Sequence, residues 1–154
     1  MIKRLLPAVL ALTVLVAAGV ARAAGDGGAV WLTDYAQAMK ESKATGKPIL
    51  ADFTGSDWCG WCIKLSKETF SQPEFAAFAK DNVILLEVDF PQGKEQTAAV
   101  KKQNEGLQKK FGVEGFPTIV LIGKDGKEIA RNDGYLAGGP SAMIAWVKES
   151  VAKH

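Results

Sequence analysis

Cysteine and histidine are scarce in this chain, with two of the first and one of the second among 154 residues. The histidine, His154, is the last residue, where chains are commonly poorly ordered. A structural zinc site takes four ligands. Two thiols and a terminal imidazole fall short of that, so neither a metal site nor a bound cofactor is expected. An excess of charge of one sign is also lacking. Nineteen Lys and Arg stand against 17 Asp and Glu, a formal charge of +2, which gives no general electrostatic case for nucleic acid or an anionic membrane as partner. Nor is there an apolar run of membrane-spanning length. The longest, Leu5 to Val20, is interrupted only by Thr13 and contains Pro7 and Gly19; it is shorter than the roughly 20 residues a spanning helix needs. Internal repeats and low-complexity tracts are absent.

That apolar run has a context. Lys3 and Arg4 precede it, and Ala21-Arg22-Ala23 follows it with small residues where a signal peptidase reads. This is the layout of a secretory signal. Residues 1–23 are therefore predicted to be a signal peptide cleaved after Ala23, residues 24–30 a flexible lead-in, and residues 31–154 one domain with one core. No cysteine follows the run to carry a lipid, and no stable membrane insertion is expected after cleavage. Cleavage removes Lys3, Arg4 and Arg22 and no acid, so the formal charge falls from +2 to −1.

Both cysteines lie in SDWCGWCIKL, residues 56–65. A bridge between Cys59 and Cys62 closes a tiny loop and constrains the unfolded chain little, so it is a weak staple. In an oxidising compartment, where disulfides persist, redox exchange is the stronger reading of the pair.

The surrounding pattern places them. WLTDYAQAMKESKATGKP reads as a helix capped by Thr33 or Asp34 and ended by Gly46 and Pro48. PILADFT (48–54) reads as a strand covered on both faces. CGWCIKLSKETF (59–70) reads as a helix with Ile63, Leu65 and Phe70 turned inward. SQPEFAAFAKDN reads as a second helix or its continuation, with a proline in its first turn. VILLEVDF (83–90) is a strand, and the polar stretch 91–111 a helix that Gly106 could break. TIVLI (118–122) and KEIARN (127–132) form a hairpin. Residues 140–154 form a closing helix with Met143, Ile144, Trp146, Val147 and Val151 toward the core. Strands alternating with helices and ending in a hairpin predict an α/β domain, a mixed central β-sheet flanked by helices on both faces. The cysteines fall where the first strand hands over to its helix, at the strand ends where sites gather in such sheets.

A helix N-terminus favours a thiolate, the nucleophile of disulfide exchange. Cys59 would sit at that end and attack. Cys62, one turn in and more buried, would resolve the mixed disulfide. Gly60 and Trp61 set the geometry between them. Asp52 interrupts the apolar strand seven residues before Cys59. It reads either as a buried proton acceptor for the Cys62 thiol or as an acid hydrogen-bonded near the strand end. Trp58 and Trp61 read as an apolar platform for substrate or as packing on the loop, with Trp61 the more exposed. Lys64 and Lys67 read as solvated charges.

DFTGSDWCGWC, KETFSQPEF, EVDFPQ and GFPT together resemble the thioredoxin superfamily, and within it the periplasmic thiol–disulfide oxidoreductases of the Dsb group. The match runs from about Trp31 to Val151. It is similar to the C-terminal thioredoxin-like domain of the transmembrane reductant conductor DsbD, and more so to the exported DsbH-type proteins. The resemblance implies a thioredoxin fold, Cys59 attacking and Cys62 resolving, Pro117 as a cis-proline facing the site, and the Phe116 backbone pairing with an extended substrate. It implies protein disulfides as substrates and a membrane thiol–disulfide donor or acceptor as partner, in the periplasm or outside the cell. Reduction is the direction it favours. Oxidation or isomerisation by the same pair remains an alternative, as does a binding module or Cu(I) metallochaperone with a non-catalytic C-x-x-C.

Overall fold

The computed structural model describes residues 28–154; the predicted signal peptide and most of the lead-in lie outside the described residues. Strand β2, Ile49–Thr54, is the centre of the molecule, and all six of its residues are buried. It pairs in parallel with β3, Ile84–Asp89, and antiparallel with β4, Thr118–Ile122. The hairpin partner β5, Glu128–Asp133, closes one edge. A two-residue strand β1, Trp31–Leu32, closes the other, so the sheet runs β1-β3-β2-β4-β5.

Alternation along the strands splits the core in two. Ile49, Ala51 and Phe53 of β2 face α1, Tyr35–Thr45, and α4, Ala98–Phe111, through Ala38, Leu107 and Phe111. Leu50 faces the other way, with Leu85, Ile119 and Leu121. That side packs Leu65 of α2, Gly60–Leu65, Phe75 and Ala79 of α3, Pro73–Asn82, and Met143 and Val147 of α5, Gly139–Ala152. Helices therefore cover both faces of a mixed sheet, as the sequence pattern predicts.

Four local expectations are corrected. Of the stretch from Trp31, read as a helix capped by Thr33 or Asp34, the Asp34 cap holds: its carboxylate accepts the Gln37 N–H at 3.0 Å and the helix starts at Tyr35, leaving Trp31 and Leu32 outside it. Trp31 and Leu32 instead pair with Leu85 and Leu86. The helix expected from residue 91 starts at Ala98, where the Thr97 hydroxyl accepts the Val100 N–H. It runs unbroken through Gly106. Ile63 is 47% exposed rather than inward-facing, because Cys62 and Leu65 take the core side of α2 and Ile63 points about 100° away from Cys62. Val151 is likewise exposed, the buried stripe of α5 ending on Ser150. After Leu65 the helix widens into one π-helical turn, Ser66–Phe70, in which the Ser71 N–H reaches the Ser66 carbonyl. Such turns often mark functional sites.

Candidate active site

Strand β2 ends at Thr54, and the chain turns through Gly55–Trp58 before entering α2. The Gly55 carbonyl accepts from the N–H groups of both Trp58 and Cys59. Gly55 has to lack a side chain here, since a Cβ would stand 2.4 Å from the Trp58 ring. Asp89, at the end of β3, fastens the turn from the side. Its carboxylate accepts the Ser56 N–H at 2.9 Å and the Ser56 hydroxyl at 2.6 Å.

Cys59 is the N-cap of α2, with extended backbone, and its Sγ accepts the Cys62 N–H at 3.2 Å. The two cysteines are joined as a disulfide, with Cα atoms 5.2 Å apart. Both are buried, Cys62 slightly more than Cys59. An unpaired N–H at a helix start offers a hydrogen bond to a cysteine sulfur and stabilises it as an anion. Gly60 opens the helix, and nothing lies within 4 Å of where its Cβ would be.

Beneath the helix, on the sheet face shared by Leu50, lies Asp52. It is 8% exposed, and its Oδ1 has no hydrogen-bond partner. Asp52 and Cys62 line the same cavity of about 280 Å³, with Thr54, Ser66 and Glu87. Burial, followed by the charges of Glu87 and Asp89, pushes the Asp52 carboxyl up to about 8. The local hydrogen bonding that would make it a plain strand-end acid is missing at Oδ1.

The two flanking tryptophans differ. Trp58 lies on Gly55, donates its Nε1–H to the Phe90 carbonyl at 2.7 Å, and meets the Phe116 ring edge-on at 6.1 Å. Phe116 in turn stacks on Phe90. Trp61 is 58% exposed and leans on Tyr135, 5.3 Å between ring centroids. Lys64 is not simply solvated, because its ammonium sits over both the Trp61 and Tyr135 rings. The Tyr135 hydroxyl donates to Glu68. The peptide bond between Phe116 and Pro117 is cis, and Pro117 is buried at the entry to β4.

Sequence reasoning missed Glu87, Asp57 and Asp89. The Asp57 carboxylate accepts the N–H groups of Gln92 and Gly93, at 3.0 and 2.6 Å, and so clamps the segment 91–97 against the turn before Cys59. Lys94 reaches the Ser56 hydroxyl, and Gln96 the Asp89 carbonyl. For Glu87 and Asp89 a signal existed: two acids at alternate positions of an apolar strand share a face.

A mixed five-stranded sheet that carries a cysteine pair, held at disulfide distance, at the start of the helix after its central strand defines a thioredoxin-fold thiol–disulfide oxidoreductase. Residues 35–149 match the family model of the thioredoxin-like domain. The disulfide bond reductase DsbH of Chlamydia pneumoniae is 41% identical over 117 residues, which are 76% of this chain and 70% of that protein. A solved DsbH oxidoreductase superposes with a TM-score of 0.77 at 38% identity, covering 82% of this chain and 87% of that one. The thiol:disulfide interchange protein DsbD of Cronobacter sakazakii is 35% identical over 88 residues, 57% of this chain but 14% of that much longer protein. The chain belongs to the thioredoxin-like family, and within it to the Dsb-type proteins.

Proposed function

We propose that the protein is exported and reduces disulfides of other proteins through Cys59 and Cys62. The observation that carries this reading is the position of the pair: Cys59 caps the helix start, while Cys62 shares a cavity with a buried acid whose Oδ1 is unpartnered. In the reduced protein the Cys59 thiolate attacks a substrate disulfide. A Cys59–substrate bond forms, the substrate's own S–S bond breaks, and one substrate thiolate leaves. Asp52, once its own proton has passed to water, takes the proton of Cys62, and Cys62 attacks the Cys59 sulfur. The second substrate thiolate leaves, and the Cys59–Cys62 disulfide forms.

Trp58 and Trp61 provide the apolar walls that receive the substrate chain, and Pro117 with the Phe116 backbone lines its path. No bound cofactor takes part. Two electrons return from a membrane thiol–disulfide donor. The domain proper is residues 31–154, released by cleavage near Ala23, and among the described residues no helix is long and apolar enough to cross a membrane. Reduction is favoured over oxidation by the 41% identity to a protein named as a disulfide bond reductase.

The reduction potential of the pair, measured in glutathione buffers by tryptophan fluorescence, tests the direction. Thioredoxin-like reductants lie near about −270 mV and the strong oxidant DsbA near about −120 mV. A value at the reducing end is expected. A value at the oxidising end transfers the protein to disulfide formation. The cysteine roles are tested separately: Cys62→Ser is expected to accumulate mixed disulfides with reduced Cys59, and Cys59→Ser to accumulate none. Trapping by neither variant, with partner binding preserved in Cys59→Ser, would make the protein a binding module.

A further inference from the structure

The acid beneath Cys62 is not alone. Asp52 of β2 stands directly opposite Glu87 of β3 in the parallel register. Paired residues of neighbouring strands point to the same face, about 4.8 Å apart along the sheet. Both carboxylates line the cavity that reaches Cys62, and both line a second one of about 330 Å³ that continues past Ser71 to Trp31 and Gly28. The rim consists of the exposed residues Ser66, Lys67 and Ser71. Asp52 is nine-tenths buried with Oδ1 unpartnered, while Glu87 is only partly buried. The polar space therefore runs from the Cys62 sulfur over the inner carboxylate to the outer one, and on to solvent.

Building on the role proposed above for Asp52, we propose that Glu87 is a positioning residue: it holds a proton on Asp52 from across the β2–β3 pair and passes protons between Asp52 and water. The step it serves is opening of the Cys59–Cys62 disulfide by an incoming dithiol. The incoming thiolate bonds to the Cys59 sulfur, the Cys59–Cys62 bond breaks, and Cys62 leaves with the electron pair. Cys62 takes the proton from Asp52, and Asp52 is reprotonated from water by way of Glu87. The second thiol of the donor then displaces Cys59 and is oxidised with the first to a disulfide.

The other charged groups around the pair fix the sign. Asp89, on the same strand as Glu87, adds to the negative field on both carboxyls, and Lys94 opposes it at Glu87. Lys67 lines the rim and Cys62 the inner end. Two like charges this close disfavour double ionisation, so Glu87 keeps Asp52 protonated to higher pH.

The test is reduction of the oxidised protein by dithiothreitol from pH 6 to 9, each variant's rate divided by that of wild type. The Asp52 carboxyl is followed in parallel by carbon NMR. Glu87→Gln is expected to lower the Asp52 midpoint by about one pH unit, leaving the ratio near one at pH 6 and about five-fold lower at pH 8. Glu87→Asp is expected to restore the wild-type profile. Lys94→Gln, which leaves both strands untouched, is expected to move the midpoint of Glu87 itself up, read from its own carboxyl carbon. In an Asp52→Asn background Glu87→Gln is expected to change nothing further.

An unmoved Asp52 midpoint in Glu87→Gln overturns the proposal, as does, should that variant not fold, a wild-type Asp52 titration that shows no coupling to the ionisation of Glu87. If Asp52→Asn is slow while the Glu87 variants are flat, only the role of Glu87 falls. If Asp52→Asn keeps the full rate at every pH, the proton role of Asp52 falls and takes this one with it.

Discussion

Two aspartates five residues apart, Asp52 and Asp57, sit on opposite sides of the turn that leads to Cys59, and their surroundings are opposites. Asp52 is buried beneath the helix with an unpartnered oxygen, and its carboxyl is pushed up to about 8. Asp57 stands on the outside, accepts two backbone N–H groups, and is held below the usual carboxylate range, chiefly by the Gln92 N–H. One acid is placed to hold its proton and the other to keep its charge. The difference shows how one short turn can be fastened by hydrogen bonds on one side while a carboxyl oxygen stays unpartnered on the other.

The contrast makes the two acids respond oppositely to pH. A raised carboxyl binds its proton more tightly in the folded chain. The stability it contributes is complete below the unfolded value, 3.8, and is lost as the pH climbs through about 8. Asp52→Asn cannot ionise and is expected to escape that loss. Its unfolding free energy relative to wild type should therefore rise between pH 5 and pH 9 by a few kcal/mol, since each tenfold difference in proton affinity between the folded and unfolded chain is worth about 1.4 kcal/mol. Urea denaturation across that range checks it. A difference that is flat with pH would mean that Asp52 ionises in the folded chain as easily as in the unfolded one.

Gly55 joins the two sides, and its substitution carries the next largest effect. A Cβ at 2.4 Å from the Trp58 ring has no room, and the ring is itself held by Phe116 and the Phe90 carbonyl. Gly55→Ala is expected to cost about 1–3 kcal/mol, the usual range for overpacking, and to expose Trp58 to water. A red-shifted tryptophan emission together with a lowered denaturation midpoint would show both. An unchanged spectrum would mean that the turn has slack the packing does not reveal.

The inner side was largely legible in the sequence and the outer side was not. Asp52 stood out because a charge in a strand buried on both faces needs a reason, and the cysteine spacing announced its own chemistry. Segment 91–97 misled because its Lys, Glu and Gln are good helix formers. It bends instead of forming a helix because Asp57 and Asp89, more than 30 and up to 7 residues distant in sequence, take up its polar groups. Strand β1 escaped for a similar reason: two residues carry no periodicity, and its pairing to Leu85 and Leu86 is purely tertiary. Ile63 looked like core because apolar residues usually are, yet the helix phase is set by Cys62 and Leu65. Glu87 and Asp89 could be seen as acids in a strand, but that Glu87 faces Asp52 follows only from the register.

The smallest expected effect belongs to Asp57 itself. Its two hydrogen bonds are made at the surface, and a depressed carboxyl contributes its stability above the unfolded value, 3.8, losing it only as the pH falls through the lower folded value. Asp57→Asn is therefore expected to leave global unfolding nearly unchanged at neutral pH. The effect should appear locally, as faster hydrogen exchange at the Gln92 and Gly93 amides with the rest of the molecule unaltered. Wild-type protein taken well below pH 4 should show the same local loosening, and Asp52→Asn should not. If the Gln92 and Gly93 amides keep their protection in Asp57→Asn, the strap is held by Lys94 on Ser56 and Gln96 on the Asp89 carbonyl instead. The charge of Asp57 would then be incidental, and the opposition between the two aspartates would reduce to Asp52 alone.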